Sequence, residues 1–251
     1  MPYRFETENK DYSAYASGRV FYNSPGRPAF PVRLISEVFQ RCHAVRQGNG
    51  QTAPAVIYDP CCGSGYHLSV LGYLHRSGIK QIIGSDINAG VLETAQRNLS
   101  LLSLSGLDRR QCEIENLIAE FGKASHSAAL EIIHQFKTHL TANEDPHPIK
   151  TELFQADGLR QAAIASKLSG RPVDIVLADV PYGDLSQWHV NKMEEPPLMR
   201  LLESLSAVVT SQTVVAIMAD KAQKCNHPRY NRVDRFQIGK RRIFLLQLNG
   251  S

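Results

Sequence analysis

Short apolar runs alternate with helix-like segments along most of the chain. The runs are bounded by polar or turn residues, as expected for buried strands. They cover residues 55–58, 81–86, 151–157, 173–179 and 214–220. Helical sequence separates each run from the next. This alternation predicts an α/β fold with a mostly parallel sheet.

The final part of the sequence has a different pattern. Residues 233–238 and 241–248 are strand-like and are joined only by Gly239-Lys240, which predicts an antiparallel hairpin. A parallel sheet that ends in such a hairpin is typical of class I methyltransferases, which use S-adenosylmethionine (SAM), and is uncommon in NAD enzymes. We therefore predict a Rossmann-like class I SAM-methyltransferase fold, with a seven-stranded, mostly parallel sheet and a C-terminal antiparallel hairpin.

Two further segments are predicted to elaborate this sheet. Residues 1–50 are interpreted as an N-terminal arm or cap with a helix over residues 32–45, which follows a loop with three prolines at 23–31. About sixty residues separate the second and third predicted strands, more than one crossover helix needs. Residues from about 105 to 148 are therefore interpreted as a helical insertion, with or without a function of its own. We expect residues 1–251 to form a single domain.

Composition and charge exclude several classes of protein. The net charge of +4 permits an anionic partner but does not require one. The five cysteines are an odd number without a CxxC pair, which argues against a disulfide framework and a structural metal site. No apolar stretch resembles a signal peptide or reaches the roughly 18 residues of a membrane span. We expect a soluble, reduced, cytoplasmic monomer that does not bind a membrane.

The most informative motif follows the first predicted strand and reads Asp59-Pro60-Cys61-Cys62-Gly63-Ser64-Gly65. A strand, an acidic glycine-rich turn and a helix form the first unit of a nucleotide-binding sheet. We assign Gly63 and Gly65 to the cofactor, because only Gly lets the backbone bend sharply and approach a ligand closely. Leu68 replaces the third glycine of the dinucleotide fingerprint, and SAM carries no phosphate, so the turn favours SAM over NAD. Cys61 and Cys62 are interpreted as small residues beside SAM and not as nucleophiles.

Three carboxylates end three successive predicted strands: Asp59, Asp86 and Asp157. Ligands of open α/β sheets bind outside the carboxyl ends of the strands. In chain order, the three acids suit the methionine ammonium, the ribose hydroxyls and the adenine amino group of SAM. Ile87 would pack on the adenine face. A single acid of this kind can simply cap a helix, but three in this order after a glycine-rich turn favour a cofactor site.

The fourth predicted strand ends in Asp179-Val180-Pro181-Tyr182-Gly183. A carboxylate and a backbone carbonyl can accept the two N–H bonds of an exocyclic amine and orient its lone pair towards a methyl group. Pro181 would fix the turn so that the Val180 carbonyl points into the pocket, and Tyr182 offers a face for base stacking. We therefore assign Asp179, Val180, Pro181 and Tyr182 to catalysis, although ordinary strands also end in such turns.

Residues suited to nucleic acid lie close to this motif or near the end of the sequence. Trp188, the only Trp, can stack on a flipped base, with core packing as an equal alternative. Basic residues cluster after residue 220, and we assign Lys221, Lys224 and Arg241 to RNA phosphates. A solvated basic face is the alternative interpretation.

Three segments of the sequence, residues 23–34, 59–66 and 179–183, together resemble the AviRa family of ribosomal RNA methyltransferases. The similarity extends in order over nearly the whole chain. The resemblance implies methylation of a guanosine in the peptidyl-transferase domain of 23S ribosomal RNA, in the large subunit. It also implies resistance to orthosomycin antibiotics such as avilamycin. In such a protein the proline-rich loop closes over the cofactor, which places Phe30 and Arg33 near SAM or RNA.

One departure from the wider amino-methyltransferase pattern leaves the acceptor atom open. That pattern prefers Pro where this sequence has Val180, so both the exocyclic N2 and the ring N1 of guanine are candidates. Two other functions also stay open. The same Asp-x-Pro-Tyr chemistry serves methylation of DNA adenine or of a protein glutamine, and the fold can also bind RNA without catalysis.

Overall fold

The computed structural model describes residues 3–23, 29–142, 148–180 and 195–250. Within these residues, seven strands form one sheet in the order β3-β2-β1-β4-β5-β7-β6. The strands are β1 (Ala55–Asp59), β2 (Ile79–Asp86), β3 (Lys150–Gln155), β4 (Ile175–Asp179), β5 (Val214–Asp220), β6 (Tyr230–Ile238) and β7 (Arg241–Leu248).

Six strands of the sheet run in one direction, and β7 runs antiparallel to them. β1 pairs in parallel with β2 and β4, and β3 and β5 extend the sheet on either side. β7 lies between β5 and β6 and is antiparallel to both. The hairpin turns at Gly239, whose φ of 58° lies in the left-handed region that favours glycine. This arrangement confirms the predicted class I methyltransferase fold.

The sheet is covered by helices on both faces. The described residues form two short 3-10 helices, at Ser13–Tyr15 and Arg76–Gly78, and seven α-helices. The α-helices are α1 (Val32–Gly48), α2 (Tyr66–Leu74), α3 (Ala89–Ser100), α4 (Leu104–Phe121), α5 (Ala124–Ala142), α6 (Gln161–Leu168) and α7 (Pro197–Leu205). None of the helices in this part of the chain combines the length and apolar character needed to cross a membrane.

Alternate residues of the central strands point to opposite faces of the sheet. Ile57 and Leu177 join an apolar cluster with α1 to α5, whereas Tyr58 and Ala178 join a second cluster with α6 and α7. Both faces of β1 and β4 are therefore buried, and the positions of their carboxyl ends are fixed by packing on two sides.

The predicted helical insertion consists of the two helices α4 and α5. Phe136 of α5 stacks on Tyr73 of α2 with 4.3 Å between ring centroids, and it lies 5.8 Å from the ring of Phe21. The Tyr22 hydroxyl donates a hydrogen bond to Glu113 of α4 at 2.8 Å. The insertion therefore packs on α2 and on the segment before α1. The single-domain boundary of 1–251 stays a prediction.

A buried carboxylate on α1 holds the N-terminal arm. Glu37 is fully buried and accepts hydrogen bonds from the backbone N–H groups of residues 4–6 at 2.7–2.8 Å. Arg41, one helical turn later, donates to Glu37 at 2.7 Å and to Asp234 of β6 at 2.8 Å. The arm, α1 and the edge strand β6 are therefore linked through one pair of charged side chains.

Candidate active site

The glycine-rich turn connects β1 to α2 at the carboxyl edge of the sheet. Gly63 and Gly65 have φ values of 54° and 65°, in the left-handed region where a side chain is strained. A Cβ atom added to Gly65 would lie 3.2 Å from the Cβ of Ala95 on α3. Glycine at position 65 therefore serves both the turn and the close packing of α3.

Asp86, at the end of β2, stabilises this turn directly. Its Oδ2 accepts a hydrogen bond from the Gly63 N–H at 3.0 Å, and its Oδ1 accepts one from the Asn88 N–H at 2.9 Å. The next residue, Ile87, is a large apolar side chain that is 40% exposed. An acid beside the turn and an uncovered apolar face next to it fit the ribose and adenine of a nucleoside.

The loop after β3 lies against the same turn. A Cβ atom on Gly158 would be 3.3 Å from the Pro60 carbonyl oxygen, so the two backbones approach closely. Asp157 precedes it and uses its Oδ1 to accept a hydrogen bond from the Leu159 N–H at 3.0 Å. Its Oδ2 lies 3.4 Å from Arg160, whose side chain is largely exposed.

Four carboxylates converge on the thiol of Cys61. Burial raises the pKa of Cys61 well above its ordinary value, and negative charge adds to the rise. The contributing groups are Asp59, Asp86, Asp179 and Asp157. The structure therefore brings together the acids that the sequence placed at four strand ends. A thiol in these surroundings stays protonated, which disfavours it as a nucleophile.

His67 on α2 is a site residue that the sequence analysis missed. Its Nε2 lies 2.6 Å from Asp59 Oδ2, and Asp59 Oδ1 accepts a hydrogen bond from the Cys61 N–H at 2.8 Å. Burial opposes a charge on His67, but the hydrogen bond and the charge of Asp59, with a contribution from Asp179, raise the pKa of His67 above its ordinary value. The only signal in the sequence is a histidine in the first turn after the glycines, which does not reveal its partner.

This pairing defines the surroundings of Asp59. Asp59 is fully buried, and both of its carboxylate oxygens have hydrogen-bond partners within the protein. It therefore stabilises the turn, and its assignment to the methionine ammonium group of SAM stays a prediction.

Asp179, at the end of β4, has an unsatisfied carboxylate. Its Oδ1 is buried and has no hydrogen-bond partner among the described residues. Burial raises the pKa of Asp179 from 3.8 to about 6, the positive charges of Arg241 and His67 limit the rise, and Asp59 adds to it. Buried polar atoms are normally paired, so an orphaned carboxylate oxygen at the carboxyl edge of a sheet points to a ligand group.

The backbone after Asp179 explains one departure from the amino-methyltransferase pattern. The Val180 N–H donates a hydrogen bond to the Met218 carbonyl on β5 at 3.0 Å. Proline has no N–H and would lose this bond. Three other residues assigned to the acceptor side, Pro181, Tyr182 and Trp188, lie outside the described residues.

Phe30 and Arg241 cover the side of the site near His67. The Phe30 ring is buried, with its centroid 6.0 Å from that of His67 and 4.9 Å from Arg241 Cζ. Arg241 begins β7 and pairs in register with Asp220, the last residue of β5. Phe30 therefore packs beside His67, while Arg241 lies close enough to affect the charge of Asp179. The assignment of Phe30 to SAM or RNA stays a prediction.

Arg33 is the residue whose expected position needs correction. Its guanidinium donates hydrogen bonds to the Glu6 carbonyl at 3.0 and 2.7 Å and to the Thr7 carbonyl at 3.2 Å, and it lies over the Tyr3 ring. Arg33 therefore holds the N-terminal arm through its guanidinium group.

The two lysines assigned to RNA are exposed at the same edge of the sheet. Lys221 and Lys224 follow the end of β5, and the Lys221 N–H donates to the Lys240 carbonyl in the hairpin turn at 3.0 Å. Because β4 and β5 are parallel and Asp179 pairs with Met218, these lysines lie on the Asp179 side of the molecule.

Comparison with known proteins identifies relatives over almost the entire chain. The sequence profile of a family described as "rRNA methyltransferase AviRa" matches residues 1–241. A relative from Streptomyces viridochromogenes, the "23S rRNA (guanine(2535)-N(1))-methyltransferase", is 38% identical over 245 residues. That alignment covers 98% of this chain and 95% of the relative.

Solved structures give the same result. The rRNA methyltransferase AviRa from Streptomyces viridochromogenes matches with a TM-score of 0.86 at 36% identity, over 98% of this chain and 96% of that one. TrmN from Thermus thermophilus matches with a TM-score of 0.50 at 12% identity, over 89% of this chain and 50% of that one, which shows a shared fold alone. These matches confirm the resemblance noted in the sequence: the chain belongs to the AviRa family of rRNA methyltransferases.

Proposed function

We propose that this protein transfers a methyl group from SAM to the ring N1 of a guanine in 23S ribosomal RNA. The Oδ1 of Asp179 carries the proposal: it has no hydrogen-bond partner among the described residues, and it is a proton acceptor at the place where a ligand of an open α/β sheet is expected. The name of the 38% identical relative favours N1 over N2. Protection of the large subunit from orthosomycins such as avilamycin is the accompanying role.

The residues of the turn fit the shape and charge of SAM. Gly63 and Gly65 leave the backbone uncovered, and Ile87 offers an apolar face to adenine. We assign the ribose hydroxyls to Asp86 and the adenine amino group to Asp157, which each keep acceptor capacity beyond the bonds described above. The carboxylates around the turn suit a cofactor with sulfonium and ammonium groups.

Asp179 has the properties that methylation at N1 needs. Guanine N1 carries a proton at neutral pH, so its lone pair becomes available only as that proton leaves. A carboxyl group with a pKa of about 6 accepts a proton near neutral pH and releases it afterwards to water. SAM, when bound, would supply the electrophilic methyl carbon for N1, with the neutral thioether as its leaving group. The Val180 carbonyl would orient the base, and Tyr182 would stack on it.

The guanine must leave its stack to reach this site. Stacked bases are inaccessible, so the target is presented from a loop or is flipped out of a helix. Lys221, Lys224 and Arg241 are proposed to hold phosphates of the RNA strand beside the pocket, with Trp188 as a further stacking surface. The substrate is 23S RNA or the large subunit, and the protein is proposed to act as a monomer in the cytoplasm.

The first test is the variant Asp179→Asn, assayed with tritiated SAM and 23S RNA. We expect methyl transfer to fall by about 10²–10⁴-fold, the usual contribution of a general base. SAM affinity should stay close to that of the wild type, because Asp179 is assigned to the acceptor. Asp108→Asn is the matched control, since Asp108 lies on α4 with an exposed side chain.

Substrates offered in parallel separate the alternatives. Ribosomal RNA, large subunits, genomic DNA and cell protein are incubated with the same labelled SAM, and the methylated nucleoside is identified by mass spectrometry. Label at guanine N1 in 23S RNA supports the proposal. Label at N2 would show that the exocyclic amine is the methyl acceptor. Label in DNA or protein would contradict the assignment of ribosomal RNA as the substrate. Absence of both label and SAM binding would favour an RNA-binding factor.

A further inference from the structure

His67 and Asp59 form a buried hydrogen-bonded pair beside the glycine-rich turn, and this pairing favours the charged form of His67 by raising its pKa. The pair is short, at 2.6 Å between Nε2 and Oδ2, and its members come from α2 and β1. Asp59 is fully buried and His67 nearly so. A pair of this kind is strongly destabilising to break, because either partner would be left as an uncompensated buried charge. The geometry therefore fixes the imidazole ring in one place.

Phe30 lies close both to this ring and to a cationic side chain of β7. The Phe30 centroid is 6.0 Å from that of His67 and 4.9 Å from Arg241 Cζ. Side chains of α2 and β7 thus meet at one buried aromatic ring. Charges in a partly buried site are screened less than charges in bulk water.

Asp179 is the neighbour on which both cations act. The groups that influence its charge come from every element around it: Arg241 from β7 and His67 from α2 favour the carboxylate, whereas Asp59 from β1 disfavours it. The carboxylate of Asp59 is itself compensated by His67. His67 therefore affects Asp179 in two ways, by its own positive charge and by compensating the negative charge of Asp59.

We propose that His67 is a positioning residue of the active site: its ring, fixed by the Asp59 carboxylate, holds a positive charge near Asp179 and keeps the Asp179 carboxylate in its proton-accepting form. This inference rests on the proposed methylation of guanine N1, in which Asp179 accepts the ring proton. His67 itself neither touches the base nor exchanges a proton during the reaction.

The test is the pH dependence of methyl transfer by His67→Gln. Glutamine keeps an N–H donor for Asp59 but carries no charge, so Asp179 should bind its proton at higher pH. We expect the acid limb of the single-turnover profile, at saturating SAM, to move up by about half to one pH unit. Near pH 6 the rate should fall about 2–5-fold, and near pH 8.5 it should return to within about twofold of wild type.

The matched control is His139→Gln. His139 is on α5, and its Nε2 lies 3.1 Å from the Tyr73 carbonyl, away from the turn. This variant should keep the wild-type profile. A loss of rate by the same factor at every pH in His67→Gln would overturn the inference and leave a purely structural role. Absence of transfer by the wild-type protein would instead contradict the proposed function.

A second measurement covers the possibility that His67→Gln does not fold. Nitrogen NMR of protein labelled with 15N-histidine distinguishes an imidazolium from a neutral ring. The spectrum is recorded in the His227→Gln background, so that the ring that lies 3.2 Å from Glu203 does not contribute to it. We expect one ring to stay doubly protonated to a higher pH than the other rings. Nine histidines occur in the wild-type chain, and neutral rings for all that remain would overturn the inference.

Discussion

Gly65 adopts a backbone conformation that other residues rarely take, and it does so where α3 packs closely. We predict that Gly65→Ala lowers the free energy of unfolding by about 2–3 kcal/mol, since left-handed strain of about 1–2 kcal/mol adds to crowding against Ala95. SAM affinity should fall as well, because the turn moves. Urea denaturation and calorimetric titration with SAM measure the two effects.

The control for Gly65→Ala is Gly170→Ala, which introduces backbone strain without crowding around the new Cβ atom. Gly170 has a φ of 73°, but a Cβ atom there would meet no heavy atom within 4 Å. We expect this control to lose only the backbone term of about 1–2 kcal/mol and to keep the wild-type affinity for SAM. Equal losses of stability and of SAM affinity in the two variants would show that contact with α3 has no role in shaping the turn.

At the scale of secondary-structure elements, the attachment of the N-terminal arm depends on Glu37. Its carboxylate accepts three backbone N–H bonds and one bond from Arg41, all within the interior. We predict that Glu37→Gln lowers the free energy of unfolding by about 2–4 kcal/mol, because the amide is neutral and its NH₂ group cannot accept these bonds. Chemical denaturation measures the change.

The control for Glu37 is the same substitution at an exposed ion pair. Glu152→Gln breaks the pair with Arg171, in which both side chains are at least one-third exposed. Surface pairs of this kind contribute less than about 1 kcal/mol. If Glu37→Gln were no more destabilising than Glu152→Gln, the buried carboxylate would not be what holds the arm.

The strands and the acids at their ends were predictable, because the pattern of apolar residues marks the strands and the parallel sheet fixes where their ends lie. The apolar runs placed β1, β2, β4 and β5 to within a few residues, and a parallel sheet brings Asp59, Asp86, Asp157 and Asp179 to one edge. The hairpin was predicted from residue 233, but β6 begins at Tyr230, which pairs with Leu248 of β7. An edge strand has many polar residues, so its first residue cannot be recognised from an apolar pattern. Hydrogen bonding to the neighbouring strand determines where it begins.

Contacts between side chains of different elements were not predictable in the same way. Nothing in the sequence distinguishes His67, which pairs with Asp59, from the other eight histidines. Arg33 was expected near the cofactor, yet the arm supplies carbonyl oxygens that satisfy its guanidinium. Both outcomes depend on how elements are packed together, which hydrophobic periodicity does not encode.

At the scale of the whole molecule, buried histidines make stability depend on pH. Burial lowers the pKa of His75 from 6.5 to about 4. The unfolded chain binds a proton at His75 below about pH 6.5, but the folded protein does so only near pH 4, so stability is lost as pH falls through this window. We predict a lower thermal midpoint at about pH 5 than at about pH 7.

His75→Gln should reduce this loss, because glutamine does not titrate. The reduction is partial, since burial also lowers the pKa of His43. His67 has a raised pKa, so its contribution has the opposite sign and is lost as pH rises through its folded value. His134→Gln on the exposed side of α5 is the control and should keep the wild-type slope. Equal slopes in the two variants would contradict the role of His75.

The place of β7 in the sheet has a consequence for when the protein matures during its synthesis. β7 is translated after β6 but lies between β5 and β6, so β5 keeps an open edge until residues 241–248 have left the ribosome. Arg241 arrives with that strand, and the charge arrangement around Asp179 is completed only then. Non-local pairing of this kind comes late in folding. The active site of a nascent chain is therefore incomplete until β7 has paired with β5.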